Sequence, residues 1–283
     1  MLSLRARIQY TRQLLSWYYR AITIYDVHQP FLYSFVSKVL EDRRNFYPFA
    51  EIETKRSFLL QSPNSIQVTD HGAGSLVANT RERKVAQITK SSAVSPFFGR
   101  ILFKTAVLLE SKQMLELGTS LGISTLYLAG SSRESQVHTI EGCPETAKVA
   151  ARNLKLWLGS RVHLTEGTFD EQLPAVLAKL SAIDLAFIDG NHQKEATLRY
   201  FEACLPKIHA NSVLIFDDIH WSKEMMEAWD TVRQHPQVRL SIDLFYCGMV
   251  FFKEEISTPQ HVALIRQRFK PWHLGIFAPR NKY

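Results

Sequence analysis

The stretch QMLELGTSLGISTLYLAG, Gln113 to Gly130, decides how the chain folds. A short apolar run, Met114-Leu115, ends on the acidic Glu116, and two glycines spaced four apart follow at Gly118 and Gly122. Ile123 to Ala129 then reads as a helix closed by Gly130, so the order is strand, tight glycine turn, helix. A turn of this kind lets a ligand approach bare backbone, and the helix start presents unpaired N–H groups. A dinucleotide fingerprint would read GxGxxG, but the register here is ExGxxxG. A carboxylate at Glu116 would repel a pyrophosphate and suits a ligand bearing an ammonium group.

Downstream the chain alternates strand and helix. Gln136 to Glu141 predicts a strand ending on an acid, followed by a helix over 144–158 opened by Pro144. Arg161–Gly167, Ile183–Asp189 and Ser212–Asp218 predict three more strands, with helices started by Asn191 after the fourth and by Ser222 after the fifth. Strands separated by helices should run parallel, whereas Val238–Phe245 and Cys247–Lys253 are too close to be anything but an antiparallel hairpin. Upstream, Ser95-Pro96 gives an N-cap and first turn to a helix carrying Phe98, Ile101, Leu102 and Ala106 on one stripe.

Glu141 lies 25 residues after Glu116, at the end of the second strand, where open α/β sheets bind ligands. An acid there can accept both ribose hydroxyls of a nucleoside, or it can cap the next helix; by itself it does not distinguish one nucleoside cofactor from another.

Taken with the ExGxxxG turn, these segments resemble the first motifs of the class I S-adenosylmethionine (SAM) methyltransferases. SPFFGRILFKTAVLL, ELGTSLGISTLYLA, TIEGCPETAKVAARNL, FIDGNH and IFDDIHWS are similar, more narrowly, to the catechol and caffeoyl-CoA type O-methyltransferases, over roughly residues 95–222. The resemblance implies a doubly wound, mostly parallel seven-stranded α/β Rossmann-like sheet with a terminal antiparallel hairpin. It implies SAM held by Glu116, Gly118, Ser120, Gly122, Glu141, Gly142, Gly167, Thr168 and Asp189. Thr168 takes the adenine-contacting position, where an acid is frequent in such families. It also implies a divalent ion, Mg2+, on Asp189, Asp217 and Asp218, and a catalytic pair of Asp189 and His192. Two departures stand out: the acid pair is Asp-Asp where the family usually has Asp-Asn, and His192 replaces the usual lysine base. Histidine can serve as base near neutral pH. The residues leave open a metal-free enzyme using His192 or His71, His192 and His220 joining a metal sphere, and a non-catalytic binding protein of the same fold.

With 46% hydrophobic and 22% charged residues, the 283-residue chain reads as a soluble globular protein. No apolar run approaches the roughly 20 residues of a membrane span, and MLSLRARIQYTRQLL lacks the continuous apolar core of a signal peptide. Three widely spaced cysteines, Cys143, Cys204 and Cys247, suggest neither a disulfide framework nor zinc, so a cytoplasmic setting is expected. The net charge of +7 sits in the flanks: residues 1–60 carry nine basic and five acidic side chains, and residues 254–283 five and two. Charge placed this way argues against a nucleic-acid partner and leaves open an acidic partner or a membrane surface at the ends; the small-molecule acceptor is what the resemblance implies.

Three regions are expected: a helical cap and lid loop over 1–94, a SAM-binding domain over 95–255, and a basic extension over 256–283 packed on it. In residues 1–60, Trp17, Tyr18, Tyr19, Phe35 and Phe49 alternate with Arg5, Arg12, Arg20 and Arg43. That pattern suits either a buried cap or a basic face for a membrane, a lipid or a homodimer partner. Residues 61–96 read as polar and irregular, and Asp70-His71-Gly72-Ala73-Gly74-Ser75 as an ordinary turn or a loop able to cover a site.

Overall fold

Strands that are apolar on both sides need a layer against each face, and the chain supplies both. The computed structural model describes residues 4–69, 82–157 and 159–270. It opens with α1 (Leu4–Arg20), α2 (Pro30–Phe35) and α3 (Tyr47–Leu60), then the short strands β1 (Ser65–Gln67) and β2 (Glu82–Lys84), and α4 (Val85–Ser92). The alternating part follows as α5 (Pro96–Leu108), β3 (Gln113–Leu117), α6 (Ile123–Gly130), β4 (Gln136–Glu141), α7 (Pro144–Asn153) and β5 (Val162–Glu166). It continues with α8 (Phe169–Lys179), β6 (Leu185–Ile188), α9 (Lys194–Cys204), β7 (Val213–Asp217) and α10 (Lys223–Arg233), and ends in β8 (Leu240–Asp243), β9 (Cys247–Phe251) and β10 (Gln260–Ala263).

The main sheet runs β10-β8-β9-β7-β6-β3-β4-β5. β3 to β7 are mutually parallel, and β9 lies antiparallel between β7 and β8, as the hairpin spacing requires. Strand alternation divides the core. Met114, Leu185, Phe187, Val213 and Ile215 face the layer of α2 to α7, while Leu115, Leu117, Ala186, Ile188, Leu214 and Phe216 face the layer of α8 to α10. The chain winds β3-β4-β5 to one side, then returns to β6 and β7 on the other, so β3 and β6 flank the switch point. Crevices at the carboxyl ends of such neighbours are where α/β sheets bind ligands.

Several expectations need correction. An eighth strand, β10, pairs parallel with β8 inside what read as a basic extension, and Leu264 bridges back to Ile22. The helix after β6 starts at Lys194 and not at Asn191, because Asn191 and His192 take positive φ values of 64° and 22°. α7 stops at Asn153 and not at 158; Leu154, at its C-cap, accepts a turn bond from the N–H of Trp157. Residues 61–96 are less irregular than they read, since β1 pairs with β2 and α4 follows directly. Three-residue strands are too short to show a period. The Ser95 and Ser222 caps form as expected, accepting bonds from the N–H groups of Phe98 and Met225.

The aromatic cap divides in two. Trp17, Phe35 and Phe49 are buried, and Trp17 Nε1 donates to the carbonyl of Asp243 at 3.1 Å, whereas Tyr19, Tyr25, Tyr33 and Tyr47 are exposed. Among the described residues no helix is long and apolar enough to cross a membrane. The three cysteines are free and buried. The 70–75 cluster, Leu158 and the chain beyond 270 lie outside the described residues.

Candidate active site

The site begins at the turn after β3. Gly118 has φ +103°, and a Cβ there would lie 1.9 Å from the carbonyl oxygen of Asp189, at the end of neighbouring β6. Gly122 has φ +84°, and its added Cβ would press on the Leu154 side chain at 3.1 Å. Gly118 is thus required by close packing of the protein on itself and Gly122 by its left-handed backbone, before any ligand is considered. Neither Gly122 nor Gly167 lines the cavity at the switch point, whereas Gly118 and Ser120 do.

The turn also fixes Glu141. The Ser120 N–H donates to Glu141 Oε2 at 2.8 Å, and the Cys143 N–H donates to Oε1 at 2.9 Å. Glu141 therefore caps the turn before α7 and lines the cavity at the same time. Each carboxylate oxygen has two lone pairs, so two backbone bonds orient the group without exhausting its capacity.

Glu116 occupies a different place. Alternation along β3 turns it into the layer under α6, fully buried, where Oε2 accepts from Thr125 Oγ1 and Thr139 Oγ1, each at 2.6 Å. Burial raises its pKa, and Oε1 has no hydrogen-bond partner. Its side chain stands behind the cavity wall and not in it.

Across the switch point lies a group of acids. Asp189 follows β6 and Asp217 ends β7; Asp218, at φ 52°, donates its N–H to the Tyr246 carbonyl at 2.8 Å. Burial, with the charges of Asp218 and Glu116, raises the pKa of Asp189, and burial, with the charges of Asp189 and Asp218, raises that of Asp217 across a hydrogen bond between the two carboxyls. Burial also raises Asp218, against the opposing influence of His192. His192 Nε2 stands 3.6 Å from Asp189 Oδ1. His220 is turned elsewhere, 3.0 Å from Asp243 Oδ2 and stacked on Phe245.

These groups share one cavity of about 710 Å3, large enough for a small-molecule site. It takes in Gly118, Ser120, Glu141, Gly142, Thr168, Asp189, His192, Asp217 and Asp218. Thr168 also caps α8, accepting from the Glu171 N–H at 3.4 Å. Sequence reading missed other parts of the wall, among them Arg83 and Ser91 from the N-terminal part, Phe169, Trp221 and the half-buried Tyr246. No sequence signal marked Arg83; the exposed, buried, exposed alternation of Glu82-Arg83-Lys84 belongs to the folded strand.

The chemistry of the donor set bears on a metal ion. Among the described residues no three His, Cys, Asp or Glu side chains are gathered as a metal-holding group. As arranged, the acids do not fit the three-ligand Mg2+ site that the resemblance implied.

Residues 115–219 match the family described as a methyltransferase domain. A catechol O-methyltransferase of Mycobacterium tuberculosis is 31% identical over 129 residues, covering 45% of this chain and 57% of that protein. One of Niastella koreensis is 30% identical over 130 residues, covering 45% and 58%. The chain thus spans little more than half the length of these relatives. A methyltransferase of Podospora anserina with bound SAH superposes with a TM-score of 0.56 at 17% identity, covering 81% of this chain and 98% of that one, which shows a common fold. From β3 through the acid pair after β7, residues 115–219 are similar to a methyltransferase domain, and the chain shares its fold with a solved methyltransferase.

Proposed function

We propose that this protein transfers a methyl group from SAM to a hydroxyl oxygen of a small acceptor, with His192 as the base. The observation that carries the reading is one cavity joining the Glu141-anchored turn to the Asp189–His192 pair. Glu141 is oriented to accept ribose hydroxyls, and Glu116, buried behind the wall, braces the turn through Thr125 and Thr139. Thr168 lines the adenine end, and Gly142 leaves the wall open beside Glu141. When bound, SAM supplies an electrophilic methyl group on a sulfonium.

The chain's own work is alignment and proton removal. Asp189 holds the His192 imidazole, which can take the acceptor's proton and leave an oxygen nucleophile. Phe98, Phe169 and Trp221 present apolar surface that excludes water from that oxygen. Residues 95–255 form the SAM-holding part in this reading, and β2 and α4 within 1–94 shape the acceptor side. Membrane, lipid or homodimer contact would fall to Ile8, Leu15 and Tyr19, which α1 leaves exposed. Magnesium has no part in the proposed step.

Calorimetric titration of SAM, followed by methyl transfer to catechol with and without EDTA, tests the reading. Micromolar SAM binding and turnover that persists in EDTA are expected. Absent SAM binding would refute the enzyme, and turnover abolished by EDTA would refute the metal-free base.

A further inference from the structure

Arg83 is the one lysine or arginine among the described residues lining the cavity, whose wall otherwise carries the carboxyl groups of Glu141, Asp170, Asp189, Asp217 and Asp218. It is 7% exposed. The register of β2 sends it inward while its neighbours Glu82 and Lys84 face solvent. Its Nη2 donates to Ser91 Oγ at 2.9 Å, and its Nε is buried with no acceptor. Among the described residues no carboxylate forms an ion pair with it.

A guanidinium is costly to remove from water unless an anion or a full set of acceptors receives it. Its donors are arranged as a planar fork that matches a carboxylate through two parallel bonds. Here the fork is held by Ser91, a donor is left without a protein acceptor, and the group stands at the wall of a cavity of about 710 Å3. The acids that share the cavity repel a ligand's anionic end, which leaves Arg83 as its one cationic partner among the described lining residues.

We infer that Arg83 is a carboxylate-binding residue of this cavity, placed by β2 and α4 to receive the anionic end of a ligand. The inference rests on the methyltransferase reading only for its choice of ligand. The carboxylate can belong to the amino-acid end of SAM or to a hydroxylated acid serving as acceptor. The chemistry is the same, and the two sources separate in experiment.

Two matched pairs of probes decide it, titrated calorimetrically into the wild-type chain, Arg83→Gln and Arg83→Lys. S-adenosylhomocysteine is paired with 5′-methylthioadenosine, which lacks the amino-acid end, and 3,4-dihydroxybenzoate with catechol. Loss of a charge-assisted bond predicts that Arg83→Gln weakens one carboxylate probe by about tenfold or more beyond its carboxylate-free partner. Arg83→Lys should keep part of that preference, because the charge remains and the fork does not. A collapse confined to the first pair assigns the subsite to the cofactor, and one confined to the second assigns it to the acceptor. Equal weakening within both pairs, or no weakening at an unchanged melting temperature, overturns the inference. If neither nucleoside probe binds the wild type, the methyltransferase reading fails on its own, and the dihydroxybenzoate–catechol pair still reports on Arg83.

Discussion

The floor and the far wall of the cavity are built in opposite ways. The floor comes from one continuous stretch, β3 to the start of α7, in which Gly118, Ser120 and Glu141 fix one another through short backbone bonds. The wall is gathered from Arg83, His192, Asp218 and Tyr246, which belong to segments far apart in sequence. Local construction makes the floor rigid and readable; assembly from distant segments makes the wall specific to this chain. Backbone geometry therefore governs what the floor can hold, and side-chain identity governs what the wall selects.

The sharpest way to break this contrast is Gly118→Ala. Its Cβ would collide with the Asp189 carbonyl at a positive φ, so a loss of about 3 kcal/mol or more is expected in urea denaturation. A variant within about 1 kcal/mol of wild type would show that the floor yields and that the glycine is there for the ligand.

His192→Ala probes the wall. A drop in kcat of about a hundredfold is expected with SAM affinity little changed, since the residue is assigned to proton removal and not to holding SAM. Loss of SAM affinity with kcat preserved would move His192 into the floor.

Asp189 lies where the two regions meet, and its raised carboxyl gives the site a pH signature. An acid whose folded pKa is raised binds its proton more tightly in the folded state than in the unfolded one. Its contribution to stability is full below the unfolded value and is lost as pH rises through the folded value, about 8 here. Asp189→Asn should therefore gain stability relative to wild type as pH rises from about 4 to above 8, by roughly 1–3 kcal/mol after allowance for its partial exposure to the cavity. Melting temperatures of both proteins across that range read the difference. A constant offset would mean that burial does not hold the proton.

Glu141→Gln is the mildest test of the floor. It keeps an acceptor for one backbone N–H and removes the charge, so SAM binding should weaken by about 1–2 kcal/mol with the fold intact. Unchanged affinity by calorimetry would displace the ribose from Glu141.

The legible parts share a physical cause. The strand-turn-helix at 113–130, the Ser95 and Ser222 caps and the hairpin of β8 and β9 depend on contacts within a few residues, and local chemistry writes them into local sequence. Asn191 read as a helix start because asparagine is a good cap, yet the positive φ at Asn191 and His192 delays α9 and turns the imidazole toward Asp189. β10 was hidden because a four-residue strand on an edge is recognised only by what it pairs with. Arg83 lay in a stretch that read as polar and irregular, and its inward register shows only when β2 lies against β1.

The sequence by itself determined the parallel α/β alternation, the glycine turn and the acid that ends β4, because periodicity, capping and turn chemistry act over a few residues. Tertiary structure alone decided that Glu116 is buried under α6, that Asp189 and Asp217 meet in a hydrogen bond, and that Arg83 lines the same cavity as they do. Burial and charge pairing depend on which segments meet in space, and a residue's place along the chain does not contain that information.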